Sequence, residues 1–287
     1  VATSLGVPPA SRRAGAKCEH LTPPCPHARM STDVILETRG LIKEFKGFVA
    51  VDEVGLQVQR GTIHALIGPN GAGKTTCFNL LTKFLEPTRG HILFEGVDIT
   101  REKPAQVARR GMVRSFQISS TFPHMSVLDN VRVALQHTLG TATNFLVSAR
   151  TLSQLDGRCM ELLAEVGLAE FARRPAIELP YGRKRALEIA TTLAMQPKLM
   201  LLDEPTQGMG HEDVEMVTQL IRKAAANRTI LMVEHNMGVV GSIADVITVL
   251  QFGKVIAEGP YAELSRNPQV LEAYMGSADV ELEGAHG

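Results

Sequence analysis

The chain lacks the features that would tie it to a nucleic acid, a bilayer interior or an oxidising compartment. Its 30 Lys and Arg residues are matched by 30 Asp and Glu, so the formal net charge is zero. No global basic field is present to attract a polyanion. No apolar run approaches the roughly 18 residues that a membrane-crossing helix needs, and even the stretch from Met237 to Leu250 is interrupted by Asp245. The chain is therefore expected not to cross a membrane by itself. Cysteine is confined to positions 18, 25, 77 and 159, too few and too scattered for a disulfide framework and in keeping with a reducing cytoplasm. Sustained heptads are missing as well, which removes a long coiled coil.

What remains is the composition of a globular protein, 44% hydrophobic and 21% charged over 287 residues, long enough for a large core or two modest lobes. Residues 1–29 read differently. They are rich in Pro, Ala and Arg without an apolar period, and the strand signal Val34-Ile35-Leu36 begins soon after Met30. A disordered extension upstream of a start at Met30 is expected there. Cys18, His20, Cys25 and His27 have metal-ligand chemistry, but Pro23, Pro24 and Pro26 interrupt them and no scaffold surrounds them. No metal is assigned to that run.

Gly68-Pro69-Asn70-Gly71-Ala72-Gly73-Lys74-Thr75-Thr76 satisfies G-x-x-x-x-G-K-[ST], and the apolar run Ile63 to Ile67 leads into it as a strand should. This is a P-loop in its proper context. The loop must turn tightly and bring amide N–H groups up to anionic oxygens, where a Cβ would obstruct. Cys77, Phe78, Leu80, Leu81, Phe84 and Leu85 recur at helical spacing, so a helix starts near Lys74, runs to about Leu85, and points its free N–H groups at the phosphates. Lys74 is placed for the β and γ phosphates, Thr75 for Mg²⁺ and Thr76 for the α phosphate.

Leu199-Met200-Leu201-Leu202-Asp203-Glu204 is a second such signal, a buried strand delivering two acids at its carboxyl end, where open α/β sheets bind ligands. Asp203 is expected to hold Mg²⁺ through water, and Glu204 to orient and deprotonate the water attacking the γ phosphate. Around these motifs the pattern divides. Residues 33–67 alternate strand runs with turns at Lys46-Gly47 and Arg60-Gly61, which predicts an antiparallel sheet beside the loop. Residues 118–180 read as an all-helical insert. From Arg183 the chain returns to alternating helices and strands, including Leu199–Leu202 and Thr229–Val233, which implies a parallel sheet with crossovers. A hairpin around Phe252-Gly253-Lys254 and a helix from Val270 to Met275 close the fold, leaving a loose tail at 277–287.

Three further elements complete the pattern: Gln117 in Arg114-Ser115-Phe116-Gln117, the segment Leu179-Pro180-Tyr181-Gly182-Arg183 at the far end of the insert, and His235 after the strand Ile230 to Val233. In this order the sequence resembles the ATP-binding cassette family over roughly residues 33–276, and within it the ATPase subunits of branched-chain amino acid importers. The narrower likeness rests on Phe45-Lys46-Gly47-Phe48-Val49-Ala50-Val51, Arg114-Ser115-Phe116-Gln117, Tyr181-Gly182 with Leu187-Glu188-Ile189-Ala190, Gly208-Met209 and Val255-Ile256-Ala257-Glu258-Gly259.

The resemblance implies an α/β fold, a RecA-like P-loop NTPase core of 30–117 and 181–276 with an antiparallel β subdomain and a helical subdomain of 118–180. It implies ATP and Mg²⁺, with Phe45 stacking on adenine, Gln117 sensing the metal and the attacking water, and His235 touching the γ phosphate. Leu179 to Arg183 would complete the site of a second cassette in trans, sandwiching two ATP molecules. The partners implied are integral membrane permease subunits, that second ATPase subunit and, indirectly, a periplasmic solute-binding protein, with no nucleic acid. The place implied is the cytoplasmic face of a bacterial inner membrane. A soluble cassette acting in translation or DNA repair is the alternative, but such proteins join two cassettes or carry a long coiled coil.

The sequence departs from the family pattern in two places. Pro180 stands for the usual signature serine, and Gly210 for an aspartate after the catalytic glutamate. One lost hydrogen bond to a charged phosphate costs about 1.5–3 kcal/mol, slowing the opposing site without abolishing it. Both departures fit a pair with a non-identical ATPase and equally a slow homodimer.

Overall fold

Two sheets and two apolar layers organise the chain. The computed structural model describes residue 1 and residues 33–115, 121–136 and 154–283; the extension at 2–29, with its Cys and His residues, lies outside them. Strands β1 (Val34–Phe45) and β2 (Phe48–Gln59) pair antiparallel around the Lys46-Gly47 turn. After β3 (Ile63–Ile67) and the helix Lys74–Leu81, strands β4 (Arg89–Phe94) and β5 (Val97–Asp98) join them in the order β2-β1-β4-β5. A short helix Pro104–Arg110 then leads to β6 (Met112–Ser115).

Helices Val127–Gln136 and Asp156–Glu165 fall within the expected helical insert, and no strand occurs among its described residues. The helix Tyr181–Ala194 returns the chain to β7 (Leu199–Asp203), helix His211–Ala225, β8 (Thr229–Val233), helix Met237–Ile243, β9 (Val246–Gln251) and β10 (Lys254–Gly259). The second sheet has the order β10-β9-β3-β8-β7-β6 and is parallel from β9 to β6. In β3, β7 and β8 every residue is buried, which is why they read as continuous apolar runs instead of alternating ones.

Strand period sorts those side chains onto two layers. Ile63, Ala65, Ile67, Met200 and Leu202 face a core shared with the helices Tyr181–Ala194 and His211–Ala225. Leu66, Leu199, Leu201 and Leu231 face the other, shared with Phe78, Leu81 and the antiparallel sheet. The sheet is thus covered on both faces, and the carboxyl ends of β3, β7 and β8 open along one edge.

Two expected boundaries shift. The helix after the P-loop stops at Leu81, short of Leu85, because Lys83 turns into the left-handed region at φ 63. At the other end the helix begun at Pro268 runs to Glu283 instead of giving way to a loose tail after Gly276. Ala278, Glu281, Leu282 and Glu283 are good helix formers, and one glycine at about 1 kcal/mol does not outweigh them.

The hairpin turn at Phe252-Gly253 fastens three segments together. Gly253 N–H donates to Ala72 of the P-loop at 3.0 Å, and its carbonyl accepts from Asp52 N–H in β2 at 2.8 Å. A Cβ on Gly253 would stand 2.8 Å from the Ala50 carbonyl oxygen.

One polar residue sits inside the central strand. His64 is fully buried, and its Nε2 lies 2.8 Å from the Thr248 hydroxyl, which in turn donates to Glu258 Oε2 at 2.7 Å. A carboxylate only accepts, so the hydroxyl proton is committed to it and His64 must carry its proton on Nε2. Burial pushes the imidazole down to about 4. The unfolded chain takes up a proton near 6.5 while the folded one refuses it, so stability falls as pH drops from about 6.5 towards 4. Between pH 7 and pH 5 this single group should cost about 2 kcal/mol. Urea unfolding of His64→Gln at the two pH values should show that loss removed relative to the parent, and an identical pH dependence in both proteins would refute it.

Candidate nucleotide and catalytic site

The loop Gly68–Thr76 leaves β3 and enters the helix Lys74–Leu81 through Gly73, the N-cap, at φ 97. A Cβ there would lie 2.4 Å from the Ala50 carbonyl oxygen, and one on Gly68 would lie 2.1 Å from that of Leu250. The loop is therefore pressed against β9 at Gly68 and against β2 at Gly73, with no room for a side chain at either position. No side chain caps the helix, so its first N–H groups stay open to an anion. Lys74 is buried and folds back, its Nζ donating to the carbonyls of Gly68 at 2.7 Å and Pro69 at 2.9 Å. Burial pulls its pKa down, with the charge of Glu204 opposing. Thr75 is exposed and Thr76 partly so.

Asp203 and Glu204 leave the end of β7 beside the end of β8. Asp203 is bound by the Arg114 guanidinium, which also donates to Asn79 Oδ1 at 2.7 Å. The same guanidinium lies between the rings of Phe78 and Phe84, 5.7 and 5.8 Å from their centroids. Glu204 sits at φ 45, in the left-handed region. Such a conformation in a non-glycine costs about 1–3 kcal/mol and persists only where its surroundings enforce it. His235 Nε2 lies 2.5 Å from Glu204 Oε1, and because a carboxylate only accepts, the imidazole donates.

Glu234, which the sequence analysis did not single out, binds the segments after β7 and β8 together. Its buried carboxylate accepts from Thr206 N–H at 2.9 Å and the Thr206 hydroxyl at 2.6 Å on one oxygen. The other oxygen accepts from the N–H groups of His235 at 2.9 Å and Asn236 at 3.1 Å. An acid at the end of a fully buried strand has to be answered by donors, and that was the available signal. Beside it opens a cleft of about 430 Å³ lined by Asn70, Thr206, Gln207, Met209, Glu234 and His235.

The segment Leu179 to Arg183 starts the helix Tyr181–Ala194, two residues before the expected start. Pro180 is its N-cap and gives no side-chain hydrogen bond. The Tyr181 hydroxyl donates to the Gln207 carbonyl at 3.2 Å, and Leu179 is buried. A Cβ on Gly182 would meet Asp213 Oδ1 at 2.3 Å, so a side chain at this position requires Asp213 to turn away. Arg183 stacks on Phe171, 4.3 Å from the ring centroid.

A family model described as ABC transporter matches residues 51–207. The chain belongs to the ABC transporter family. A second model, described as Branched-chain amino acid ATP-binding cassette transporter, matches residues 254–280. The chain is 40% identical over 253 residues to the high-affinity branched-chain amino acid transport ATP-binding protein BraF of Pseudomonas aeruginosa, covering 85% of this chain and 98% of that one. It is 39% identical over 251 residues to the corresponding LivG protein of Escherichia coli K12, again covering 85% and 98%. Among solved structures, the ADP conformation of an ATP-binding cassette of an ABC transporter superposes with a TM-score of 0.76 at 30% identity, covering 85% of this chain and all of that one. A nucleotide-free cassette gives 0.74 at 29%, covering 84% and 98%.

Within this ABC cassette the carboxyl edge of the parallel sheet gathers the P-loop, Asp203, Glu204 and His235, while Tyr181 packs on the loop after Glu204. Phe45 is 40% exposed at the tip of β1, so its ring is partly open to solvent. Lys43 Nζ stands 5.0 Å from its centroid. Gln117 lies outside the described residues.

Proposed function

We propose that this cassette binds and hydrolyses ATP to energise uptake of branched-chain amino acids or similar small polar solutes through separate membrane subunits. The observation that carries the reading is the Glu204 carboxylate, held by His235 beside a P-loop whose lysine is already folded over it. Glu204 is the general base for water, Lys74 the cation for the β and γ phosphates, and His235 the group that follows the γ phosphate. Gly68 through Thr76 cradle the phosphates and Phe45 offers adenine a ring face. Gln117 is assigned beside the metal by family resemblance.

Mg²⁺ fits the donors present. Thr75 and Asp203 offer the hard oxygens that this ion prefers, and Asp203 already takes a cationic partner in Arg114. The metal would neutralise phosphate charge. The open N-terminus of the helix Tyr181–Ala194 suits the γ phosphate of a second cassette, with Leu179 to Arg183 facing it.

A docking place for a membrane subunit is supported by a groove of about 190 Å³ between β6 and the helices Val127–Gln136 and Tyr181–Ala194. Phe122 and Val133, which line it, are exposed among the described residues. No helix among the described residues is long and apolar enough to cross a membrane, which suits a peripheral subunit on the cytoplasmic face. The solute is inferred from what the BraF and LivG names state. The translation and DNA-repair alternative is not favoured, since BraF and the LivG proteins are named as transport proteins.

Mg²⁺-dependent ATP hydrolysis should be measured with the purified chain alone and reconstituted in lipid with the membrane proteins of its operon, with and without leucine-type solutes. Stimulation by the complex and its solute is expected. Robust hydrolysis indifferent to any membrane partner would overturn the transport reading.

A further inference from the structure

Glu204 holds its left-handed backbone between two carbonyls that a single guanidinium caps. Arg185, buried on the helix Tyr181–Ala194, donates from Nη2 to the Asp203 carbonyl at 2.9 Å and from Nε to the Pro205 carbonyl at 3.2 Å. These are the peptide oxygens of the residues on either side of Glu204. A planar fork with fixed donor directions can span such a pair, whereas an ammonium cannot hold both in one geometry. Its remaining arm, Nη1, binds Glu188 Oε2 at 2.5 Å, one helical turn along. Both side chains are almost wholly buried, 6% and 3% exposed.

A buried guanidinium needs a counter-charge, and Glu188 supplies it. The second oxygen of Glu188, Oε1, is buried yet meets no donor among the described residues. Glu188 also lines the groove that Phe122, Asn130, Thr191 and Arg114 share. Burial pushes this carboxyl upward, with Arg185 opposing. Glu188 thus lines the groove while one of its oxygens holds the guanidinium clamped on the loop that carries Glu204.

We propose that Arg185 and Glu188 are positioning residues for the Glu204 carboxylate, and that they link the groove to it. Neither touches nucleotide. Glu188 fixes the guanidinium, the guanidinium fixes the peptide units flanking Glu204, and these aim its side chain at the space where water must attack. The proposal rests on Glu204 being the base.

The test measures kcat, and ATP affinity by calorimetry, for the full chain carrying Glu188→Gln, Arg185→Lys, both together, and Glu204→Gln as reference. Glu188→Gln keeps shape and burial but removes the charge that holds the guanidinium. Its kcat should fall about tenfold or more, the loss that one misplaced catalytic group produces, with ATP affinity within twofold of the parent. The double variant should be no slower than Arg185→Lys alone, because both changes break one device. Should Arg185→Lys fail to fold, the split between kcat and affinity in Glu188→Gln decides alone.

A kcat within twofold of the parent, a matching loss of ATP affinity, or losses that multiply in the double variant would overturn the proposal. If Glu204→Gln collapses turnover while Glu188→Gln does not, the positioning role falls and the base assignment stands. If Glu204→Gln turns over like the parent, the base assignment falls and takes the positioning role with it.

Discussion

Glu204→Gln should bind ATP as the parent does while turnover falls by about 10²- to 10⁴-fold, the range that a lost general base accounts for. The amide keeps an oxygen that can still accept from His235 Nε2, now 2.5 Å from the carboxylate, so the loop has no reason to rearrange. The backbone at φ 45 is enforced from outside the side chain, by Arg185 on the flanking carbonyls and by Glu204 N–H donating to Val233 at 2.9 Å. What disappears is the negative charge that makes the carboxylate basic enough to take a proton from water. Single-turnover hydrolysis together with equilibrium ATP binding separates the two quantities, and turnover within twofold of the parent would remove Glu204 from the role.

Lys74→Ala should act on the other side of that division, weakening ATP binding itself by about 10²-fold. Charged hydrogen bonds to phosphate contribute about 1.5–3 kcal/mol each, and the two carbonyl bonds the lysine gives up on binding offset about 1 kcal/mol apiece. Those two bonds, to Gly68 and Pro69, also mean that the empty loop loses a brace in the variant. Calorimetry on the full chain reads the affinity directly, and an unchanged value would contradict the assignment. Together the two substitutions distinguish a residue that holds nucleotide from one that acts on it.

The parts of this site that were legible in the sequence are those where local order carries the chemistry. A buried strand, a tight turn and a helix in immediate succession announce the P-loop, and four apolar residues before Asp203-Glu204 announce the second strand. Neighbours in the chain are neighbours in space in both. The helix Pro104–Arg110 was missed although its start carries a proline and its end a glycine at φ 104, because only Val107 in it is buried and no apolar stripe marks it. β6 is only four residues long, too short for periodicity to separate it from a loop.

The clamps were invisible for a different reason. Glu234 meets Thr206 across 28 residues of sequence, and Arg185 meets Asp203 across 18. Nothing near either residue forecasts those partners, since they are brought together by strand order and helix packing. A buried acid or base implies only that some partner exists.

The Phe252-Gly253 turn has a consequence for handling the protein. Phe252 is 83% exposed at a hairpin tip, the kind of place chosen for an epitope tag, a fluorophore or new chain termini. Yet the next residue grips Ala72 and Asp52 at once. Splicing there would detach the nucleotide loop from the antiparallel sheet behind it, so labels belong elsewhere on the surface.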